Sequence, residues 1–92
     1  MGNASLELPS FVTSLVAALE AVYGLGCVAY EHVRDERYRF EIVSKLFNSM
    51  PHPKRQRAVW DIVSKVVDKT QLLNVAMILT IADDELYEPQ SE

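Results

Sequence analysis

Four side chains that can carry positive charge crowd one short stretch, PHPKRQRAVW: His52, Lys54, Arg55 and Arg57. Cations at the start of a helix oppose its macrodipole, at a cost of roughly 0.3–1 kcal/mol per exposed charge. Such an arrangement suits a surface to which a partner brings negative charge, and helix N-termini hold phosphate groups well. The plain alternative is that Arg55 and Arg57 point into water. Aromatic side chains interleaved for base stacking are lacking. Trp60 is expected to rest one ring edge on a sheet and keep its N–H near solvent; an exposed Trp60 would mark a partner surface.

The other reactive residues are scattered. His32 and His52 fall in different segments, and neither neighbours a cysteine or carboxylate at ligand spacing. HExxH, CxxC, GxSxG and a glycine-rich phosphate loop are missing, and the glycines stand at 2, 24 and 26. Asp83, Asp84 and Glu85 are consecutive, as acids at a helix start often are. Cys27, the single cysteine, has no basic neighbour to activate it and reads as a small buried hydrophobe. Five positions apart on one strand, Cys27 and His32 point to opposite faces and make a poor metal pair. No catalytic residue, metal or cofactor is expected.

The element that organises the chain runs through residues 37–60. From Arg37 to Ile42, Arg37, Arg39 and Glu41 alternate with Tyr38, Phe40 and Ile42, the pattern of a strand with one buried face. A loop with Pro51 and Pro53 follows, and Pro53 suits the first position of a helix. Val59, Ile62, Val63 and Val66 then form an apolar stripe, with Arg57, Asp61, Ser64, Lys65 and Asp68 opposite. Upstream, Ser10 reads as an N-cap, and Phe11, Leu15, Ala18, Leu19 and Val22 repeat at helical spacing as far as Gly24. Residues 26–33 form a short strand with Val28, Tyr30 and His32 on one face, closed into a hairpin by a turn at 34–36. The apolar run 72–81 predicts a central, well-buried strand, and 83–87 a single helical turn. The rival is an all-α bundle, since Phe40, Val43, Leu46, Phe47 and Met50 also fit a helical period.

Ninety-two residues with 49% hydrophobic and 24% charged side chains predict one folded domain, 1–92, with flexible ends at 1–9 and 88–92. No apolar run is long enough to span a bilayer. MGNASLEL lacks the regions of a signal peptide, and Leu6 stands where myristoylation wants Ser or Thr. A cytoplasmic protein without membrane contact is the expectation. The net charge of −4 is segregated: all nine Lys and Arg lie between Arg34 and Lys69, beside five acids. The middle can present a basic surface although the whole chain repels polyanions.

The words RFEIVSKLF, RQRAVW and MILTIADDEL, in the order α-β-β-α-β, resemble the BolA family, which has a class II KH-like fold. The matching positions are Phe40, Val43, Ser44, Phe47, Arg55, Arg57, Trp60 and Glu85. The family's Arg-His-Arg reads Arg55-Gln56-Arg57 here, and its loop between the first two strands is cut to about four residues. The histidine that the resemblance implies as ligand of an iron–sulfur cluster shared with a monothiol glutaredoxin falls on Asn74 or Val75. Neither has an imidazole to donate, so the resemblance stops short of cluster chaperoning. It leaves a regulatory or nucleic-acid role, without the GxxG loop of true KH domains.

The expectation is an α+β domain, α-β-β-α-β(-α), with a three-stranded mixed sheet under two helices. It is a non-enzymatic regulatory or adaptor module working through protein contacts. Weak nucleic-acid binding is the alternative, and a homodimer through a sheet edge a third. The expected binding surface is His52, Lys54, Arg55 and Arg57, extended by Arg37 and Arg39. Replacing Arg55 and Arg57 by glutamate should then abolish binding and leave stability nearly unchanged.

Overall fold

A computed structural model describes residues 8–87. Helix α1 spans Ser10–Tyr23, β1 Val28–Arg34 and β2 Arg37–Ser44. A 3-10 turn at Lys45–Phe47 leads to α2, His52–Val66, then a single-turn helix α3, Lys69–Leu72, then β3, Val75–Ala82, and a 3-10 turn at Asp83–Tyr87. The sheet order is β1-β2-β3, with β1 antiparallel and β3 parallel to β2. The α+β reading holds and the all-α bundle is excluded. The flexible ends expected at 1–9 and 88–92 lie outside the described residues, apart from Leu8 and Pro9.

The alternation in β2 sets the architecture. Tyr38, Phe40, Ile42 and Ser44 are buried, while Arg37 and Arg39 face out. Phe40 and Ile42 are wholly inaccessible and pack with Phe11, Val12, Leu15 and Leu19 of α1 and Val59 and Val63 of α2. Val75, Ile78 and Ala82 of β3 complete the same layer. Both helices lie on this face, so the sheet is covered on one side.

Several details differ from expectation. Ser10 is the first helical residue rather than the cap: Pro9, in extended conformation, accepts the Val12 N–H through its carbonyl at 3.0 Å. Val22 is half exposed, because in the last turn it is Tyr23 that packs inward, 4.9 Å from the Phe47 ring. Gly24 ends α1 with φ 117, and its N–H bonds to the Glu20 carbonyl. β1 starts at Val28, and its hairpin turn is Asp35–Glu36, with Asp35 at φ 53. Pro51 caps α2, so Pro53 takes the second helical position and His52 the first.

The larger correction concerns β3. It is an edge strand and half exposed, not central: Met77 and Leu79 are open to solvent at 48% and 39%. An apolar run reads as buried on both faces, but this sheet has one bare face. Residues 72–74 do not join the strand. Asp68 accepts the Gln71 N–H at 2.8 Å while Gln71 accepts the Asp68 N–H, a capping box that draws 69–72 into a helical turn.

Candidate functional site

The cationic segment divides on folding. His52, Lys54 and Arg57 are exposed on the first turns of α2, whereas Arg55 is buried, with 4% of its surface accessible. Residues three or four apart share a helix face, so Arg55 falls on the inward stripe with Val59 and Val63.

Nearly all of the Arg55 guanidinium is spent inside the molecule. Nε donates to the Met50 carbonyl at 2.7 Å, and Nη1 to the Thr80 carbonyl at 3.2 Å. Nη1 and Nη2 grip the Glu85 carboxylate at 3.1 and 3.0 Å, the two-point geometry that suits a planar fork. The cation also lies 5.8 Å from the Phe47 ring centre. Arg55 thus ties the loop before α2 to the end of β3 and to the turn after it.

Glu85 is the anion at this helix start. Hydrogen bonds from Arg55 and from the Ala82 N–H, with His52 nearby, hold its carboxyl down at about 2. The negative charge that the N-terminal cations call for is supplied in part by the chain itself. Asn48 adds a second tether to the same turn, its Oδ1 accepting the Asp84 N–H at 3.3 Å.

Gln56, where the resemblance has histidine, is a bridge. Its Nε2 donates to the Ile78 carbonyl at 3.0 Å and reaches Thr80 Oγ1 at 3.4 Å. Its Oε1 accepts the Trp60 Nε1–H at 3.0 Å. The indole N–H expected near solvent is therefore bound internally, and Trp60 is half buried.

Arg37 and Arg39 do not extend this surface. They lie at the start of β2 on the uncovered face, whereas α2 begins against Thr80 and Glu85 at the far end of the parallel pair, where Ile42 stands beside Thr80 and Ser44 beside Ala82. Arg39 forms an ion pair with Glu31, its direct neighbour on β1. The six expected residues therefore make an exposed trio, one internal anchor and a separate pair.

Asn74 and Val75 offer nothing to a cluster. The Asn74 carbonyl accepts the Tyr38 N–H at 2.8 Å, and Val75 is a buried apolar side chain. An amide and an isopropyl group are not soft donors, so an iron–sulfur cluster does not fit there. Among the described residues no three His, Cys, Asp or Glu side chains are grouped to hold a metal ion, and no helix is long and apolar enough to cross a membrane. Cys27 is half buried, and burial pushes its thiol up, away from the reactive thiolate.

No protein-family model matches the sequence. No curated protein matches it either. Among solved structures it is similar to BolA1 from Arabidopsis thaliana, with a TM-score of 0.58 and 19% identity over 78% of this chain and 88% of that one. With its α-β-β-α-β order, its mixed sheet and both main helices on one face, the chain has a BolA-like fold.

Proposed function

We propose that the chain is a non-enzymatic adaptor of BolA-like type, regulating a partner in the cytoplasm through protein–protein contact. The partner surface is acidic, and it meets His52, Lys54 and Arg57. The observation that carries this reading is the division of the cationic segment. Arg55 and Glu85 satisfy one another, while the cations Lys54 and Arg57, with the His52 imidazole beside them, stay exposed on a helix start that has no acid in its first turn. Exposed charges of one sign steer an opposite surface and fix its orientation.

Nucleic-acid binding through the same trio is the alternative. The net charge of −4 opposes it, and Trp60, the aromatic beside the trio, has its N–H held by Gln56 and is only half exposed for stacking. The test is capture from native lysate on the immobilised chain and on its Lys54→Glu, Arg57→Glu variant. The partner is lost from the variant while its melting curve stays in place. Equal capture by both would exclude this surface. A complex with single-stranded RNA or DNA that weakens steeply with added salt would favour the alternative.

A further inference from the structure

The two edges of the sheet are treated differently. In the parallel pair Tyr38 bonds to the Asn74 carbonyl, and beyond an irregularity near Ala76 the odd residues of β3 turn toward β2. The carbonyls of Ile78 and Thr80 therefore face outward, and Gln56 and Arg55 occupy them. That edge is stoppered by α2. At the other edge the Val43 N–H bonds to the Cys27 carbonyl, which makes 27 and 43 a hydrogen-bonded pair in the register Val28–Ile42. Backbone groups alternate along a strand, so Ala29 and Glu31 also bond inward, and the N–H and C=O groups of Val28, Tyr30 and His32 face outward. Among the described residues no side chain bonds to these groups. The strand VAYEHVR carries neither Lys nor Pro, the usual guards of an open edge.

We propose that β1 pairs antiparallel with β1 of a second copy of this chain, about a two-fold axis at Tyr30, giving a continuous six-stranded sheet. The register follows from charge. Centred on Tyr30, the ladder sets Val28 opposite His32 of the other copy and Ala29 opposite Glu31, with no like charges facing. Centred on Glu31 it would oppose two carboxylates. Centred on Ala29 it would run into the Leu25–Gly26 turn, where Gly26 has φ 79. The Tyr30 register also brings oppositely charged ends together. A bulge at Val33 shifts Arg34 one step along, to Gly26 and Cys27 of the other copy, just after its Leu25–Gly26 turn. There the Gly26 N–H fixes the Glu20 carboxylate at 3.0 Å. Two symmetric Arg34–Glu20 pairs close the ladder. Tyr30, 43% exposed in the single chain, is covered by its own symmetry mate.

In such a ladder the two Tyr30 Cα atoms are about 5.5 Å apart, within the roughly 4.4–6.8 Å that a disulfide spans. The two Glu31 Cα atoms, offset by two residues, are about 8 Å apart, too far to bridge. With Cys27 replaced by serine, Tyr30→Cys is expected to give a disulfide dimer under mild oxidation at more than ten times the yield of Glu31→Cys. Light scattering of the unaltered chain should show its mass rising toward twice the monomer with concentration. Arg34→Glu lowers the dimer fraction several-fold, and Glu20→Arg added to it restores the fraction. A monomer at every concentration, or equal cross-linking at positions 30 and 31, overturns the proposal.

Discussion

Arg55 and Glu85, thirty residues apart in sequence, meet in a two-point grip, Nη1 to Oε1 at 3.1 Å and Nη2 to Oε2 at 3.0 Å. The pair is asymmetric. The arginine side chain is 5% exposed and the glutamate 37%, so solvent reaches one partner and the fold encloses the other. An internal cation with its acceptors arranged around it is an anchor, and the surface beside it is what remains for a partner.

Substituting Arg55 therefore tests stability rather than binding. Arg55→Ala leaves the Met50 and Thr80 carbonyls without their donor in a part-buried site. A loss of roughly 2–4 kcal/mol is expected, read as a lower denaturation midpoint. Arg55→Glu is worse, since it adds a carboxylate among those carbonyls and beside Glu85. This reverses the expectation drawn from sequence, that charge reversal at 55 and 57 leaves stability nearly unchanged; for exposed Arg57 alone that remains the expected outcome. A stable Arg55→Glu protein would show that the network is not made in solution.

Acid should loosen the same junction. The Glu85 carboxyl has an ordinary value of 4.5 and is held at about 2 in the folded chain. A depressed carboxyl contributes stability that is fully present above its unfolded value and is lost as pH falls through the folded one. The contribution of Glu85 should thus fade between about 4.5 and 2. Urea titrations across that window should show a drop in the midpoint of the parent chain and a shallower one in Glu85→Gln. Parallel profiles would exclude the linkage.

What could be read beforehand was the pattern with a short period. The alternation of Tyr38, Phe40 and Ile42 against Arg37 and Arg39 identified the strand, its buried face and hence the side on which helices lie. Arg55 was legible only in part. Its place one turn before Val59 on the apolar stripe signals an inward position, but positive charge is expected to face water. Of the acceptors that make burial tolerable, Met50 is in the loop just before α2, but Thr80 and Glu85 lie 25 and 30 residues further along the chain. β3 misled for a related reason. An apolar run looks the same whether one or both faces are covered, and which holds depends on how many helices there are to cover them.

Gln56 should matter through the edge it closes. Gln56→Leu keeps the size of the side chain but leaves the Ile78 carbonyl and the Trp60 N–H without partners. The expected cost is about 1–3 kcal/mol, with a red shift in Trp60 emission as the ring moves toward water. Because the β3 edge is then partly unstoppered, light scattering should also show new self-association that Tyr30→Cys cross-links do not capture. Unchanged fluorescence and melting would mean that water replaces the amide at no cost.

The capping box offers a local check. Asp68→Ala removes the acceptor of the Gln71 N–H at the start of α3, with an expected loss of about 0.5–2 kcal/mol. Since α3 leads directly into β3, faster hydrogen exchange should appear at residues 69–74 while the β2 amides stay protected. Uniform acceleration over the whole chain would instead mean that this turn is part of the global unfolding unit.

The contrast between the two faces of the sheet tests the architecture most directly. Phe40 and Leu79 are close in volume and lie on adjacent strands, Phe40 beneath both helices at 0% exposure and Leu79 on the bare face at 39%. Phe40→Ala removes a ring packed among side chains of both helices, and a loss of about 3–5 kcal/mol is expected, a large part of the stability of a domain of this size. Leu79→Ala removes a side chain already half in water, and no more than about 1 kcal/mol should be lost. Any larger penalty at Leu79 in the isolated chain would mean that something covers the bare face in solution. A dependence of that penalty on protein concentration would identify the cover as another copy of the chain.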